Sequence, residues 1–260
     1  MTTARDKRIV HRRPPAARRI YVAGTGSCVP ERVLRNSDLE KMVDTTDEWI
    51  FTRSGIRERR IAADGQASSD LGAAAAIRAL EAASVAAADV DLIIVGTVTP
   101  DMIFPNTACF VQNAIQAKNA VCFDLEAACS GFLYGVEVAE HFLSSGTMNT
   151  ALVIGAEKLS TVTDWRDRAT CVLFGDGAGA VVLKTGGDRR GIINSVMGSD
   201  GSLTDLLNIP AGGSRHPTTQ DTVEKGLHYM KMMGREVFKH AVRAMSDSAV
   251  RVLERSGLTL

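Results

Sequence analysis

The sequence predicts an α/β protein whose sheet is covered by helices. Two observations carry this. From about residue 18, short β-rich apolar runs alternate with longer segments of helical period. The chain, at 260 residues and 45% hydrophobic, is also long enough to bury a substantial core, as one large domain or as two fused halves.

Each element has its own signal. A first strand is expected over residues 19–23, ending in a turn at Gly24 and Gly26. Ser69, followed by Asp70, Leu71 and an alanine run, reads as the N-cap of a helix closing near Val85. Residues 91–96 form a buried strand, 106–117 a second helix, 121–125 a third strand and 130–144 a helix rich in small and apolar residues. Strands at 151–155 and 179–183 complete the set. After Gly186, Gly187 and Asp188 the pattern restarts with a strand at 191–194, a polar excursion through Pro217, and a helix over 227–256 stopped by Gly257. One strand with one helix cannot make a balanced sheet. The expected organisation is therefore a basic leader over 1–18, a complete first half over 19–188 and a partial second half over 189–260, with pairing to a partner as the alternative.

Composition narrows the function classes. Thirty basic and thirty acidic side chains cancel, so no global positive field argues for nucleic acid or an anionic membrane. Arg5, Lys7, Arg8, Arg12, Arg13, Arg18 and Arg19 crowd around Pro14 and Pro15 without an apolar stretch long enough for a signal peptide or membrane span. That segment reads as a disordered leader or a misplaced start, in a cytoplasmic protein. The five cysteines, Cys28, Cys109, Cys122, Cys129 and Cys171, lack CxxC spacing, which argues against a disulfide framework and a zinc site. Each is by default a small core residue.

Cys129 has a reason to be more. The segment Glu126-Ala127-Ala128-Cys129-Ser130-Gly131 joins an apolar strand to a helix through small residues that permit a tight turn. A thiol at a helix N-terminus sees oriented N–H groups, which favour the thiolate and can hold the oxyanion formed when a thioester carbonyl is attacked. On local features alone the same setting also suits a packed core thiol. The stretch Phe174-Gly175-Asp176-Gly177-Ala178-Gly179-Ala180 makes a poor phosphate loop, because no Gly-Lys-Ser/Thr follows and it leads into a strand. Its glycines suit a backbone running close beneath an active site, with Asp176 fixing the turn.

Taken together, several segments resemble the ketoacyl-ACP synthase III enzymes of the thiolase superfamily. They are Gly24-Thr25-Gly26-Ser27 with Val29-Pro30, Val43-Asp44-Thr45-Thr46-Asp47-Glu48-Trp49-Ile50, Thr52-Arg53-Ser54-Gly55-Ile56-Arg57-Glu58-Arg59, Ala128-Cys129-Ser130-Gly131-Phe132 and Phe174-Gly175-Asp176-Gly177-Ala178-Gly179. The resemblance runs from about residue 19 to the last residue. It implies an αβαβα thiolase-like fold, normally homodimeric, with acyl-CoA and malonyl-acyl carrier protein as substrates and no cofactor.

By the same resemblance Cys129 is the acylated nucleophile. Trp49 would stack on the adenine of CoA, and Arg53 and Arg168 would grip its nucleotide end, tasks that suit an indole face and a guanidinium fork. Thr45 is a candidate polar contact to CoA. Phe104 matches the residue that reaches across the dimer to shape the partner's acyl pocket. Met232, Gly234 and Phe238 match a pantetheine tunnel wall, and Lys239 a contact to the acidic carrier protein. The family's later His, Asn and Gly-rich segments are not met, and His11, His141, His216, His228 and His240 match none of them. The expectation is a starter condensing enzyme of fatty acid synthesis whose condensation step is impaired in this chain. The alternatives are an inactive remnant or non-catalytic acyl-binding or partner-binding subunit, and a polyketide-type starter acyltransferase.

Overall fold

The computed structural model describes residues 18–186 and 191–260. The basic leader up to residue 17 and the boundary at 188 lie outside the described residues.

In chain order the elements are β1 (Ile20–Cys28), β2 (Arg32–Arg35), α1 (Asn36–Leu39), α2 (Asp47–Ser54), β3 (Glu58–Ile61), α3 (Ser68–Ala83), β4 (Leu92–Gly96), α4 (Thr107–Ile115), β5 (Val121–Leu125), α5 (Gly131–Ser144), β6 (Thr150–Lys158), α6 (Arg168–Cys171), β7 (Asp176–Thr185), β8 (Leu207–Asn208), α7 (Gln220–Glu224), β9 (Lys231–Met232) and α8 (Gly234–Ser256). The main sheet has the order β1-β7-β6-β4-β5. Its β4 pairs in parallel with both β5 and β6, while β7 is antiparallel to β6 and to β1.

The sheet is buried on both faces, and strand alternation sorts its residues between two cores. Ile93, Val95, Ile154 and Val182 pack with the alanine face of α3 and with Val111 of α4. Leu92, Ile94, Val153 and Leu183 point the other way, onto Ala139 and Leu143 of α5. Every residue of β4 is buried, and each such Leu, Ile or Val stabilises the fold by about 1.5–3 kcal/mol. A small third cluster, with Leu39, Ile50, Cys171 and Val172 at its centre, joins α1, α2 and α6.

Three expectations change. The turn expected at Gly24 and Gly26 is strand: β1 continues to Cys28, with a register shift between Val22 and Gly24. The glycines serve a close approach to α3, since a Cβ on Gly24 would lie 2.5 Å from the Ala79 carbonyl oxygen and the Ala83 nitrogen. Residues 191–194 form no strand; Ile192 N–H donates to Ile20 C=O at 2.9 Å, a single tie to the edge of the sheet. The last helix begins at Gly234 rather than 227, because Gly226 turns the chain at φ +63° and Met230 N–H is held by Val162 C=O at 2.7 Å.

Smaller shifts have local causes. Helix α3 starts one residue before Ser69, with Ala67 at its N-cap; Asp70 accepts from Ala67 N–H at 2.7 Å, while the Ser69 hydroxyl donates instead to Asp101. Helix α8 buries none of its residues, and Phe238, Val242 and Met245 are exposed on it at i, i+4 and i+7.

Candidate active site

Cys129 lies where β5 gives way to α5. A single 3-10 turn, Ala128–Ser130, runs directly into α5 at Gly131. Three non-glycine residues among those described have positive φ; Ser84 and Gln116 close helices, and the third is Ala128, at φ +44°, immediately before the cysteine. An alanine in that region costs about 1–3 kcal/mol, strain of the kind that gathers at functional turns. Gly96, at the end of β4, lets the start of α5 sit on the sheet, because a Cβ there would be 2.9 Å from the Gly131 carbonyl carbon. Cys129 is therefore carried above the ends of two parallel strands, where α/β proteins place ligands.

Of the five cysteines, Cys129 is the exposed one. Burial, with smaller contributions from Cys109 and Asp124, pushes the Cys122 thiol up to about 12, and burial also raises Cys171. Those two are core thiols, as their sequence setting suggests. No side chain caps the N-terminus of α5; the preceding 3-10 turn already engages the Ser130 N–H with Ala127 C=O and the Gly131 N–H with Ala128 C=O, while the helix dipole still favours negative charge beside the sulfur.

A second group forms on α2 and α6. Thr46 caps α2, its hydroxyl accepting from Trp49 N–H at 3.1 Å. Ile50 is the buried anchor of the helix. On the outward side, the guanidinium carbons of Arg53 and Arg168 lie 5.1 and 4.4 Å from the Trp49 ring centre. Arg168 also donates to Asp44 C=O at 2.7 Å. The Thr45 hydroxyl beside them is buried and has no partner among the described residues. An aromatic face flanked by two guanidinium forks suits a flat base joined to phosphates.

The remaining candidates are more dispersed. Phe104 is 82% exposed, with Ile103 and Met102 beside it, at the tip of the segment between β4 and α4. The flanks of that tip are fixed: Asp101 accepts from Ser69 N–H at 3.0 Å, and Asp124 accepts from Thr107 N–H at 2.6 Å and Ala108 N–H at 2.8 Å. Met232 lies on β9, which packs against α6, and its methyl would be 3.3 Å from a Cβ on Gly234. Phe238 is on the open face of α8, and Lys239 is 3.5 Å from Glu236 on the same helix.

The turn expected to be fixed by Asp176 is instead the first position of β7. Its carboxylate accepts from Ala62 N–H, Ser160 N–H and the Ser160 hydroxyl at 2.7–2.8 Å, so it gathers three segments. Two further polar groups, Glu157 half-buried and Arg59 buried, were not picked out from the sequence. Glu157, at the end of β6, accepts from Val98 N–H at 2.9 Å and the Thr99 hydroxyl at 2.6 Å, holding the loop after β4. Arg59 lies buried behind α2. No local pattern marks it, since Glu58, Arg59 and Arg60 are successive charged residues of β3.

Known proteins resemble this chain over most of its length. The 3-oxoacyl-[acyl-carrier-protein] synthase III family profile matches residues 123–201, the stretch that holds Cys129. Over 238 residues the chain is 55% identical to the beta-ketoacyl-[acyl-carrier-protein] synthase III of Caldanaerobacter subterraneus subsp. tengcongensis, covering 92% of this chain and 72% of that protein. It is 54% identical over 243 residues to the one from Symbiobacterium thermophilum, covering 94% and 74%. The crystal structure of 3-oxoacyl-[acyl-carrier-protein] synthase III from Aquifex aeolicus VF5 superposes with a TM-score of 0.83 at 46% identity, covering 92% of this chain and 73% of that one. The priming beta-ketosynthase of the R1128 polyketide pathway superposes with a TM-score of 0.85 at 37% identity, covering 95% and 73%. The fold is thus the α/β, thiolase-like one, and the chain belongs to the beta-ketoacyl-[acyl-carrier-protein] synthase III family of condensing acyltransferases.

Proposed function

We propose that Cys129 is the nucleophile that receives the starter acyl group. The cysteine thiolate attacks the carbonyl of an acyl-CoA thioester, a carbon–sulfur bond forms, and the oxyanion collapses with CoA thiolate leaving. Backbone N–H groups at this turn would hold that oxyanion. The observation that carries this reading is the exposed Cys129 behind a left-handed Ala128, at the uncapped start of α5.

Trp49, Arg53 and Arg168 hold the nucleotide end of CoA, and Thr45 offers it a hydroxyl. Met232, Gly234 and Phe238 belong to the pantetheine path, and Lys239 to the surface that meets the carrier protein. The acyl-enzyme then condenses with malonyl-acyl carrier protein to give 3-oxoacyl-carrier protein and carbon dioxide, the first elongation of fatty acid synthesis, in the cytoplasm. The exposed apolar tip at Met102, Ile103 and Phe104 supports a homodimer in which this loop enters the partner.

The test is a two-step assay: acyl-CoA first, then malonyl-acyl carrier protein, following loss of the Cys129 adduct and appearance of 3-oxoacyl-carrier protein. Product requiring both thioesters supports the reading, and product formed at equal rate by Cys129→Ala overturns it. The likeness to the R1128 priming ketosynthase favours a polyketide starter role as a second reading. Transfer to a polyketide carrier protein in preference to a fatty acid one would select it.

A further inference from the structure

Behind the nucleotide-gripping group lies a buried cation that, among the described residues, has no carboxylate against it. Arg59 is 5% exposed. One terminal nitrogen donates to Asn36 Oδ1 and to Val172 C=O, both at 2.9 Å, and the other reaches Leu34 C=O at 3.4 Å. All three acceptors are uncharged, and its Nε is buried without a partner among the described residues. Burial pulls its pKa down, though a guanidinium stays charged in proteins. A desolvated cation held by neutral oxygens is expensive, and a residue kept on those terms needs a task.

Its partners suggest one. Val172 follows α6, the helix that carries Arg168. Asn36, 1% exposed, turns its amide nitrogen to Asp47 Oδ1 at 2.7 Å and to Ile56 C=O at 2.8 Å, the two ends of the α2 segment that carries Trp49 and Arg53. Leu34 faces Arg59 across the β2–β3 pair. Gly175 keeps the space behind β3 closed, because a Cβ there would be 2.9 Å from Arg60 C=O. One guanidinium therefore spans a fixed ribbon and both short helices whose side chains meet at Trp49. Helices of this length have little stability of their own.

We propose that Arg59 is a positioning residue for CoA recognition, clamping α2 to α6 through Asn36 and Val172 so that Trp49, Arg53 and Arg168 stand in register before the nucleotide arrives. The inference rests on the reading of those three residues as the nucleotide grip. It makes Arg59 act on the part of the substrate farthest from the chemistry, and not on the acyl transfer.

The test compares two acyl donors, acyl-CoA and the same acyl group on N-acetylcysteamine, which lacks the nucleotide. Acylation of Cys129 is followed by intact mass in the wild type, Arg59→Lys, Asn36→Ser and Trp49→Ala. Both Arg59→Lys and Asn36→Ser should raise the KM for acyl-CoA roughly tenfold, the equivalent of one well-placed contact, with maximal rate unchanged. The N-acetylcysteamine donor should react at the wild-type rate. Equal losses with both donors, or no loss with either, overturn the proposal. Trp49→Ala separates the two levels: if it leaves acyl-CoA loading unchanged, the nucleotide grip itself is wrong, whereas selective loss in Trp49→Ala alone refutes only the role of Arg59.

Discussion

Arg168 places its guanidinium 4.4 Å from the centre of the Trp49 ring, although the two residues belong to helices far apart in the chain. The contact turns an isolated half-buried indole into one wall of a charged recess. Its cation is also tethered, through the bond to Asp44 C=O, to the residue before Thr45. Such a pair is worth about 0.5–2 kcal/mol, depending on how far it is desolvated.

The first prediction follows from that pair. Arg168→Ala should weaken CoA binding by about tenfold, a loss of about 1.4 kcal/mol, as read by calorimetric titration. Arg168→Lys should recover less than half of the loss in free energy, since an ammonium neither stacks on the indole nor forks toward a phosphate. Full recovery by lysine would reduce the site to simple charge.

Glu157 makes stability depend on pH in a stated direction. Burial raises its pKa above the ordinary 4.5, against the opposing pull of hydrogen bonds from Thr99, Val98 and Thr97. A carboxyl whose folded pKa is raised binds its proton more tightly in the folded state. Its contribution is therefore fully present below the unfolded value and is lost as pH rises through the folded one. Relative to Glu157→Gln, the wild type should lose stability as pH climbs above about 4.5 and through the raised folded value. Urea unfolding at several pH values measures the gap, and a gap that stays flat would contradict the assignment.

A glycine pair tests the packing of β1 on α3. A methyl on Gly26 would collide with backbone of Ala75 and Ala79, whereas one on Gly179, opposite Ser27 in the same sheet, meets nothing within 4 Å. Gly26→Ala should cost about 1–3 kcal/mol or more, and Gly179→Ala less than about 0.5 kcal/mol. Thermal melts of the two variants decide it.

The parts legible in sequence were those where one interaction dominates. β4 announces itself as an apolar run because both of its faces are covered, and Cys129 stands out through the small residues around it. Gly24 and Gly26 misled, since a glycine that admits a helix against a strand looks the same as a glycine that turns the chain. The strand expected at 191–194 failed because apolar character alone does not supply a neighbour to pair with. The meeting of Trp49 with Arg168, and of Arg59 with Asn36 and Val172, depends on long-range closure, for which local patterns carry no signal. The resemblance named the first group residue by residue and included Arg59 among its matching segments, but gave it no role.

Thiol accessibility separates Cys129 from the others. Alkylation of the folded chain by iodoacetamide at pH 8 should label Cys129 first, with Cys122 and Cys171 unmodified until the fold opens, because one is exposed and burial raises the pKa of the other two. Peptide mapping over time reads the order. Early labelling of Cys122 would show that the sheet edge around β5 is looser than the packing indicates.

The most direct measurement is the intact mass of the 260-residue chain after incubation with acetyl-CoA and a series of longer acyl-CoAs, with Cys129→Ala alongside. The wild-type chain should carry a single acyl adduct, mapped to Cys129, and the variant none. An adduct that persists in Cys129→Ala, or folded protein that takes up no acyl group from any donor, would contradict the role of Cys129 as nucleophile.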